Sequence, residues 1–407
     1  MMFNTLINSF MAYLNKKIYG IMVAAGLLAF VSCTDIAPID VDDIPQEELF
    51  KRDSKKWAEE EEALKKNKAD SAAIAEENKK LREAYLADLR EYKKSKHMVM
   101  FGWFAYWNPT SPDNTFSLDH LPDSVDFVSN WGASWNLSEE KKAQLARLHE
   151  KGTRMTVGWI IENIGDGLSN KPEGGWSNEP YTAIEQYARA ICDSIEKYGY
   201  DGIDIDYEPQ FASPFKQGRH CGDWSDPWEK NKALISCDQK SNKQYENYFF
   251  KKIREFLPKE KLLNINGSIG WIDPQVAYVF DYFIFQSYNG TGESWTSTAN
   301  ILMQQQPKVK PEQFIYTESF QTNPNNANDF SRYVKLVTQN LKGKAGGIGA
   351  FHINEDYLYG PDYKNVKAAI SATIISTVSF ICFQLFPRQI IGIFGSESEA
   401  YFRFAEK

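Results

Sequence analysis

The sequence predicts an α/β fold, a (β/α)8 barrel preceded by a charged helical segment. Two observations carry this. From Met98 onward, eight apolar runs recur at 98–107, 124–134, 153–161, 200–208, 262–270, 280–289, 314–321 and 345–353. Helical patterns lie between most of them, clearest at 138–151, 180–198, 240–257 and 326–341. Strands alternating with helices build a parallel sheet, and eight of them over this length is the size of a closed barrel. A doubly wound open sheet is the alternative, but no Gly-rich phosphate loop follows the first run.

Taken in order, the chain divides at 1–33, 34–95, 96–371 and 372–407. Lys16 and Lys17 precede a short apolar stretch, Ile18 to Val31, closed by Ser32-Cys33. That stretch is too short for a comfortable membrane span. It resembles a bacterial lipoprotein signal, in which the cysteine, here Cys33, is lipidated. Phe30 stands where that pattern prefers Leu, and an ordinary secretory signal or anchor is the alternative. The residues before Met11 read as an upstream extension. Thr34 to Pro45 is an acidic, unpatterned tether. Residues 46–95 are rich in Glu, Lys, Ala, Leu and Arg with acid–base pairs at helical spacing, which predicts one or two solvated helices.

Composition bounds the chemistry. The 407 residues are 43% apolar and 25% charged, a globular balance. A net charge of −8 argues against a nucleic-acid partner, because nothing would neutralise a phosphate backbone. The five cysteines show no C-x-x-C spacing and there are five histidines, so neither a metal site nor a cofactor is expected. Ten of the eleven Trp lie between Trp103 and Trp295, more indole than a core requires.

The fourth run is the most informative. Tyr200 to Pro209 reads Tyr-Asp-Gly-Ile-Asp-Ile-Asp-Tyr-Glu-Pro. On a strand, Asp204, Asp206 and Glu208 share one face, and Ile203, Ile205 and Tyr207 the other. A half-exposed edge strand would also explain the alternation. In a barrel, however, the acids turn inward, with Glu208 at the C-terminal mouth, where barrel enzymes keep their chemistry. Trp107, Trp131, Trp135, Trp159, Trp271 and Tyr288 fall near predicted strand ends. A Trp-rimmed mouth centred on carboxylates suits sugar, whose apolar ring faces stack on indoles.

The string Asp-Gly-Ile-Asp-Ile-Asp-Tyr-Glu resembles the D-x-x-D-x-D-x-E signature of glycoside hydrolase family 18, over roughly 98–370. That family includes chitinases, endo-β-N-acetylglucosaminidases and inactive chitinase-like lectins. The resemblance implies that Glu208 is the general acid and later the base. It implies that the substrate's own 2-acetamido oxygen is the nucleophile, giving an oxazolinium intermediate. Asp206 would orient the acetamido N–H, and Asp204, deeper, would share a proton with Asp206. Three close carboxyls cannot all ionise cheaply, so at least one pKa should be raised. Asp201 is expected to shape the strand entry.

Phe285-Gln286-Ser287-Tyr288-Asn289 ends the sixth run. The resemblance implies that Tyr288 hydrogen-bonds the acetamido carbonyl, with Gln286 on the same face and Asn289 beside it. Expected substrate contacts are Gln286, Asn289, Trp107, Trp131, Trp159, Trp271 and Phe351. The last run, Gly346 to Asn354, lacks the Trp that family chitinases usually carry there. Little room follows the sixth and seventh runs for the extra lobe that deepens chitinase grooves. A shallow mouth fits a branched glycan, so the resemblance implies the endo-β-N-acetylglucosaminidase branch, with an N-glycan or other GlcNAc-containing oligosaccharide as partner. A chitinase and a non-catalytic lectin are the alternatives.

Residues 210–240 read as a long loop in which Cys221 and Cys237 are expected to pair if the chain is exported, with two free thiols as the alternative. Cys192 reads as a core thiol, and His352 as a residue at the mouth. Ala372 to Phe383 is almost wholly apolar and, with Gln384 to Gly395, resembles a fragment of a multidrug and toxin extrusion transporter. A fused fragment is expected there, or else a hydrophobic helix on the barrel or in a membrane. The whole reads as an exported lipoprotein of a bacterial outer membrane or cell surface, held to the membrane by its lipid anchor.

Overall fold

The computed structural model describes residues 54–373, apart from 133–134, 136, 162–163, 166, 210–242, 289–292, 322–326, 328, 342–344 and 360–361. The expectations for Cys33, Asn289, Cys221, Cys237 and the tail beyond residue 373 lie outside the described residues. Among the described residues no helix is long and apolar enough to cross a membrane.

Eight parallel strands close into one barrel in chain order. They are β1 (Val99–Ala105), β2 (Phe127–Trp131), β3 (Arg154–Ile160), β4 (Gly202–Tyr207), β5 (Leu262–Gly267), β6 (Tyr282–Phe285), β7 (Phe314–Ser319) and β8 (Gly347–Phe351). Each falls within its predicted run. β1 pairs with both β2 and β8, which leaves no free sheet edge.

Two compact units divide the chain at residues 78 and 79. One helix, α1 (Ser54–Lys94), runs through that point where one or two helices were expected. Within the first unit, its described side chains from residue 61 onward are exposed, and Glu61 and Lys65 pair at 2.8 Å one turn apart. Within the second unit the same helix packs on the barrel. Leu86 and Leu89 are buried, Tyr85 donates to Asp123 (3.0 Å), and Arg90 donates to the Glu150 carbonyl (2.8 Å).

The outer helices form as their sequences dictate. α2 (Glu139–Glu150) starts at Ser138, whose side chain accepts from the Lys141 N–H. α3 (Pro180–Tyr198) starts at Glu179, whose carboxylate accepts from the Tyr181 and Thr182 N–H groups, and has Pro180 in its first turn. α4 (Lys243–Phe256), α5 (Glu293–Gln305) and α6 (Phe330–Leu341) follow, and a last helix is described over 364–373. Ile203 and Ile205 stand fully buried between β4 and this ring, in one cluster with Tyr187, Ile191, Phe249 and Phe250. Each such aliphatic side chain contributes about 1.5–3 kcal/mol. Burial of the isoleucine face outward obliges the alternate residues of β4 to face inward.

The barrel interior is a separate cluster of Phe101, Trp103, Phe127, Leu262, Ile284 and Ile315, with Trp131, Tyr288 and Phe351 packed against it. The apolar residues fill the floor. Polar ones replace them toward the C-terminal mouth: Ser129, Asp204, Asp206, Asn264, Asn266 and Thr317 are all buried.

Candidate active site

β4 lies between β3 and β5, with Asp204 level with Gly158 and Asn264, and Asp206 level with Ile160 and Asn266. Both aspartates point into the barrel and are buried, at 0% and 6% exposure, while Glu208, one step past the strand, is half-buried at the mouth. The inward row of three acids is therefore present, graded from the sealed floor to solvent.

Their partners differ, and so do their proton affinities. Asp204 accepts from the Trp103 indole N–H (2.7 Å) and from the Asn266 amide (3.1 Å). Burial pushes its pKa up to about 6, against those two donors and Ser129, which favour the ionised form. Among the described residues, Asp206 has a single long bond, from the Gln286 amide (3.4 Å). Burial, then the charges of Glu208 and Asp204, drive it well above the usual carboxylate range. Burial also raises Glu208. The cluster thus retains a proton where isolated carboxyls would have lost theirs. Both oxygens of Asp204 face donors, Trp103 and Asn266.

Two glycines lie where a side chain would crowd the site, Gly158 beside Ser129 and Trp131, and Gly267 beside the acids. A Cβ on Gly158 would stand 2.9 Å from Ser129 Oγ and 3.1 Å from the Trp131 ring, so a side chain there would displace both. Gly267, at the end of β5 with φ +84°, would bring a Cβ within 2.7 Å of the Tyr207 carbonyl and 3.1 Å of Glu208 Cγ.

Beyond β6, Gln286 donates to Asn266 Oδ1 (2.9 Å) as well as to Asp206. Tyr288 lies against Phe351, with ring centroids 5.9 Å apart. Burial, then the charges of Asp206, Asp204, Glu208 and Glu318, raise its phenol, so it remains an O–H donor. Trp131 and Phe351 pack edge to face at 5.5 Å, and both pack on Trp103. Phe351 is the aromatic of the last strand. Trp271, on a short turn after β5, is 55% exposed. Its carbonyl accepts from Lys243 (2.7 Å), and Lys243 also binds Glu246 (2.8 Å).

Two expected substrate contacts stand elsewhere. Gly158 and Ile160 share the inner face with the aspartates, which puts Trp159 on the outer face of β3, against Trp135 at 5.2 Å. Trp107 is buried in the outer core and donates its indole N–H to Gln144 of α2 (2.8 Å). Both are packing residues, a correction that follows from strand parity for Trp159 and from burial against α2 for Trp107. His352 is buried rather than lining the mouth; its ring lies tilted against Phe351 at 4.2 Å and it binds Glu355 at 2.7 Å. Asp201 does shape the strand entry, accepting from the Met155 N–H (2.7 Å) and contacting His149 (2.7 Å). Cys192 is a buried free thiol. Trp103 and Asn266 belong to the site although the sequence reading did not single them out.

Comparison with known proteins agrees with this geometry. The family model described as glycoside hydrolase family 18, BT1044-like, matches residues 65–221, which include the whole acidic row. A solved structure of BT1044SeMet, a glutamate-to-glutamine variant, superposes with a TM-score of 0.55 at 28% identity, covering 72% of this chain and 92% of its own. A chitinase from Bacteroides thetaiotaomicron gives a TM-score of 0.42 at 12% identity, covering 68% of this chain and 96% of its own. The chitinase ChiB from the chitin utilization locus of Flavobacterium johnsoniae gives 0.43 at 12%, covering 69% and 94%. No curated protein matches the chain. The family match and the BT1044 likeness are a resemblance to glycoside hydrolase family 18.

Proposed function

We propose that this protein is a retaining endo-β-N-acetylglucosaminidase that cuts the GlcNAc-β1,4-GlcNAc core of N-glycans by substrate-assisted catalysis. The observation that carries the reading is the graded acidic row: two buried aspartates beneath a half-buried Glu208 whose proton affinity is raised. Glu208 donates its proton to the glycosidic oxygen as the C1–O bond breaks. The acetamido oxygen of the same sugar bonds to C1, forming an oxazolinium ion. Asp206 accepts from the acetamido N–H and balances the developing positive charge. The Tyr288 hydroxyl donates toward the acetamido carbonyl. Glu208, now a carboxylate, takes a proton from water as that water attacks C1, which restores the acetamide and the acid. Trp131, Phe351 and Trp271 offer ring faces to the sugar.

The N-glycan reading is supported by Phe351 in place of a last-strand Trp, and by the short connections after β6 and β7. Export, with a lipid on Cys33 holding the protein to a bacterial outer membrane or cell surface, is supported by the Lys16-to-Cys33 segment. The apolar tail after residue 371 is a fused transporter-like fragment in this reading.

The test incubates the full-length protein in mild detergent with an N-glycoprotein and, separately, with chitin oligomers, followed by mass spectrometry. Loss of the glycan leaving one GlcNAc on Asn is expected. Release of chitobiose alone would replace the N-glycan reading with a chitinase, and binding without cleavage would replace it with a lectin.

A further inference from the structure

Asn266 lies on β5, fully buried beside the acids. Its Nδ2 donates to Asp204 Oδ1 (3.1 Å) and to the Ile205 carbonyl (3.2 Å). Its Oδ1 accepts from Gln286 Nε2 (2.9 Å), which also reaches Asp206 Oδ1 (3.4 Å). An amide has one donor end and one acceptor end. Two acceptors on its inner side fix the Asn266 donor end there. Its acceptor end then fixes Gln286 with the NH2 inward and the carbonyl turned away from Asp206. One side chain thus sets the state of Asp204 and the orientation of Gln286.

The same bookkeeping applies to Asp204. Its Oδ2 faces the Trp103 indole, which can donate and not accept, and its Oδ1 faces the Asn266 NH2. The titratable groups around it are Asp206 and Glu208 from its own strand and Tyr288 from the end of β6. The Trp103 and Asn266 donors and Ser129 favour the ionised carboxylate, and the charge of Asp204 in turn raises Asp206.

We propose that Asn266 is a positioning residue, which holds Asp204 as a hydrogen-bond acceptor and presents the Gln286 carbonyl to a donor group of the sugar. The proposal rests on the hydrolase reading only in its last clause.

The Trp103 indole N–H reports Asp204 directly, because it is bonded to that carboxylate. In the full-length protein with 15N-labelled tryptophan, its resonance, assigned by its loss in Trp103→Phe, should titrate with Asp204. Asn266→Leu removes the Nδ2 donor. The midpoint should then rise by about one pH unit, the size of a hydrogen bond to a charged group. Asn266→Ala also removes the donor, so it should raise the midpoint about as far, and it serves if the Leu variant does not fold. A midpoint unchanged in either folded variant overturns the proposal. For the last clause, KM on the N-glycoprotein should rise more in Gln286→Leu than in Gln286→Glu, which keeps an acceptor; equal KM values would overturn that clause. The titration needs no turnover, so a failed hydrolase reading leaves it standing, and a failed titration leaves the hydrolase reading standing.

Discussion

Replacing Gly267 with alanine puts one methyl group where the structure has no room for it. The added Cβ would stand 2.7 Å from the Tyr207 carbonyl oxygen, 3.1 Å from Glu208 Cγ and 3.2 Å from Asp206 Oδ1, at φ +84°. The Tyr207 carbonyl cannot retreat freely, because it accepts from the Ser268 N–H at 2.7 Å. The left-handed backbone alone costs an alanine about 1–2 kcal/mol. Carbon–carbon contacts settle near 3.5–4.0 Å, so Glu208 must move by roughly 0.5 Å. A 1 Å error at a reacting group costs about 100-fold in rate, and half of that displacement on the order of tenfold. Together with the backbone contact, a loss of about 2–3 kcal/mol in stability is expected, which lowers Tm by roughly 5–10 °C. The assay is kcat on the N-glycoprotein beside a thermal melt. A Gly267→Ala protein with wild-type Tm and wild-type kcat would refute the argument that β5 sets the place of Glu208.

The remaining predictions concern charge, hydrogen bonding and ring faces. Asp206 has a folded-state pKa above its unfolded value, so the wild type binds more protons folded than unfolded, and the stability linked to that proton is lost as pH rises. Asp206→Asn should therefore stabilise the protein relative to wild type at pH 8 and lose that advantage below pH 4, measured by denaturant titration at both; an equal difference at the two values would contradict the burial of a proton there. If Tyr288 donates to the acetamido carbonyl as proposed, Tyr288→Phe should lower kcat about 10²–10³-fold with KM little changed. Trp131→Ala should raise KM for the glycan, whereas Trp159→Ala should lower Tm and leave KM alone, since its ring packs outward on Trp135; the reverse pattern would put the sugar on the wrong face.

β4 was legible in the sequence because acids and isoleucines alternate there, so chemistry and parity coincide in one strand. The eight strands were legible for a related reason: each is a short apolar run bounded by polar residues. Trp159 misled because Met155 to Ile160 has no acid or amide to mark its inner face. Only the register of Gly158 beside Asp204 tells which face is inside, and register is a property of two strands. Trp107 sits past the end of β1, where strand parity no longer applies. Asn266 did leave a signal, since Leu262 to Gly267 alternates Asn264 and Asn266 with Ile265. Buried amides in alternation on a barrel strand mark the inner face as polar. Trp103 left none, being one aromatic in an apolar strand. Its indole bond to Asp204 joins residues 101 positions apart and exists only once β1 and β4 face each other across the barrel.

The central claim is that Glu208 cleaves a GlcNAc linkage with the sugar's own acetamido group as nucleophile. Proton NMR of the anomeric signal formed in the first moments of N-glycan cleavage tests it most directly. Wild type should give the β anomer first, and Glu208→Gln no new anomeric signal. An α anomer appearing first, or equal cleavage by Glu208→Gln, would contradict it.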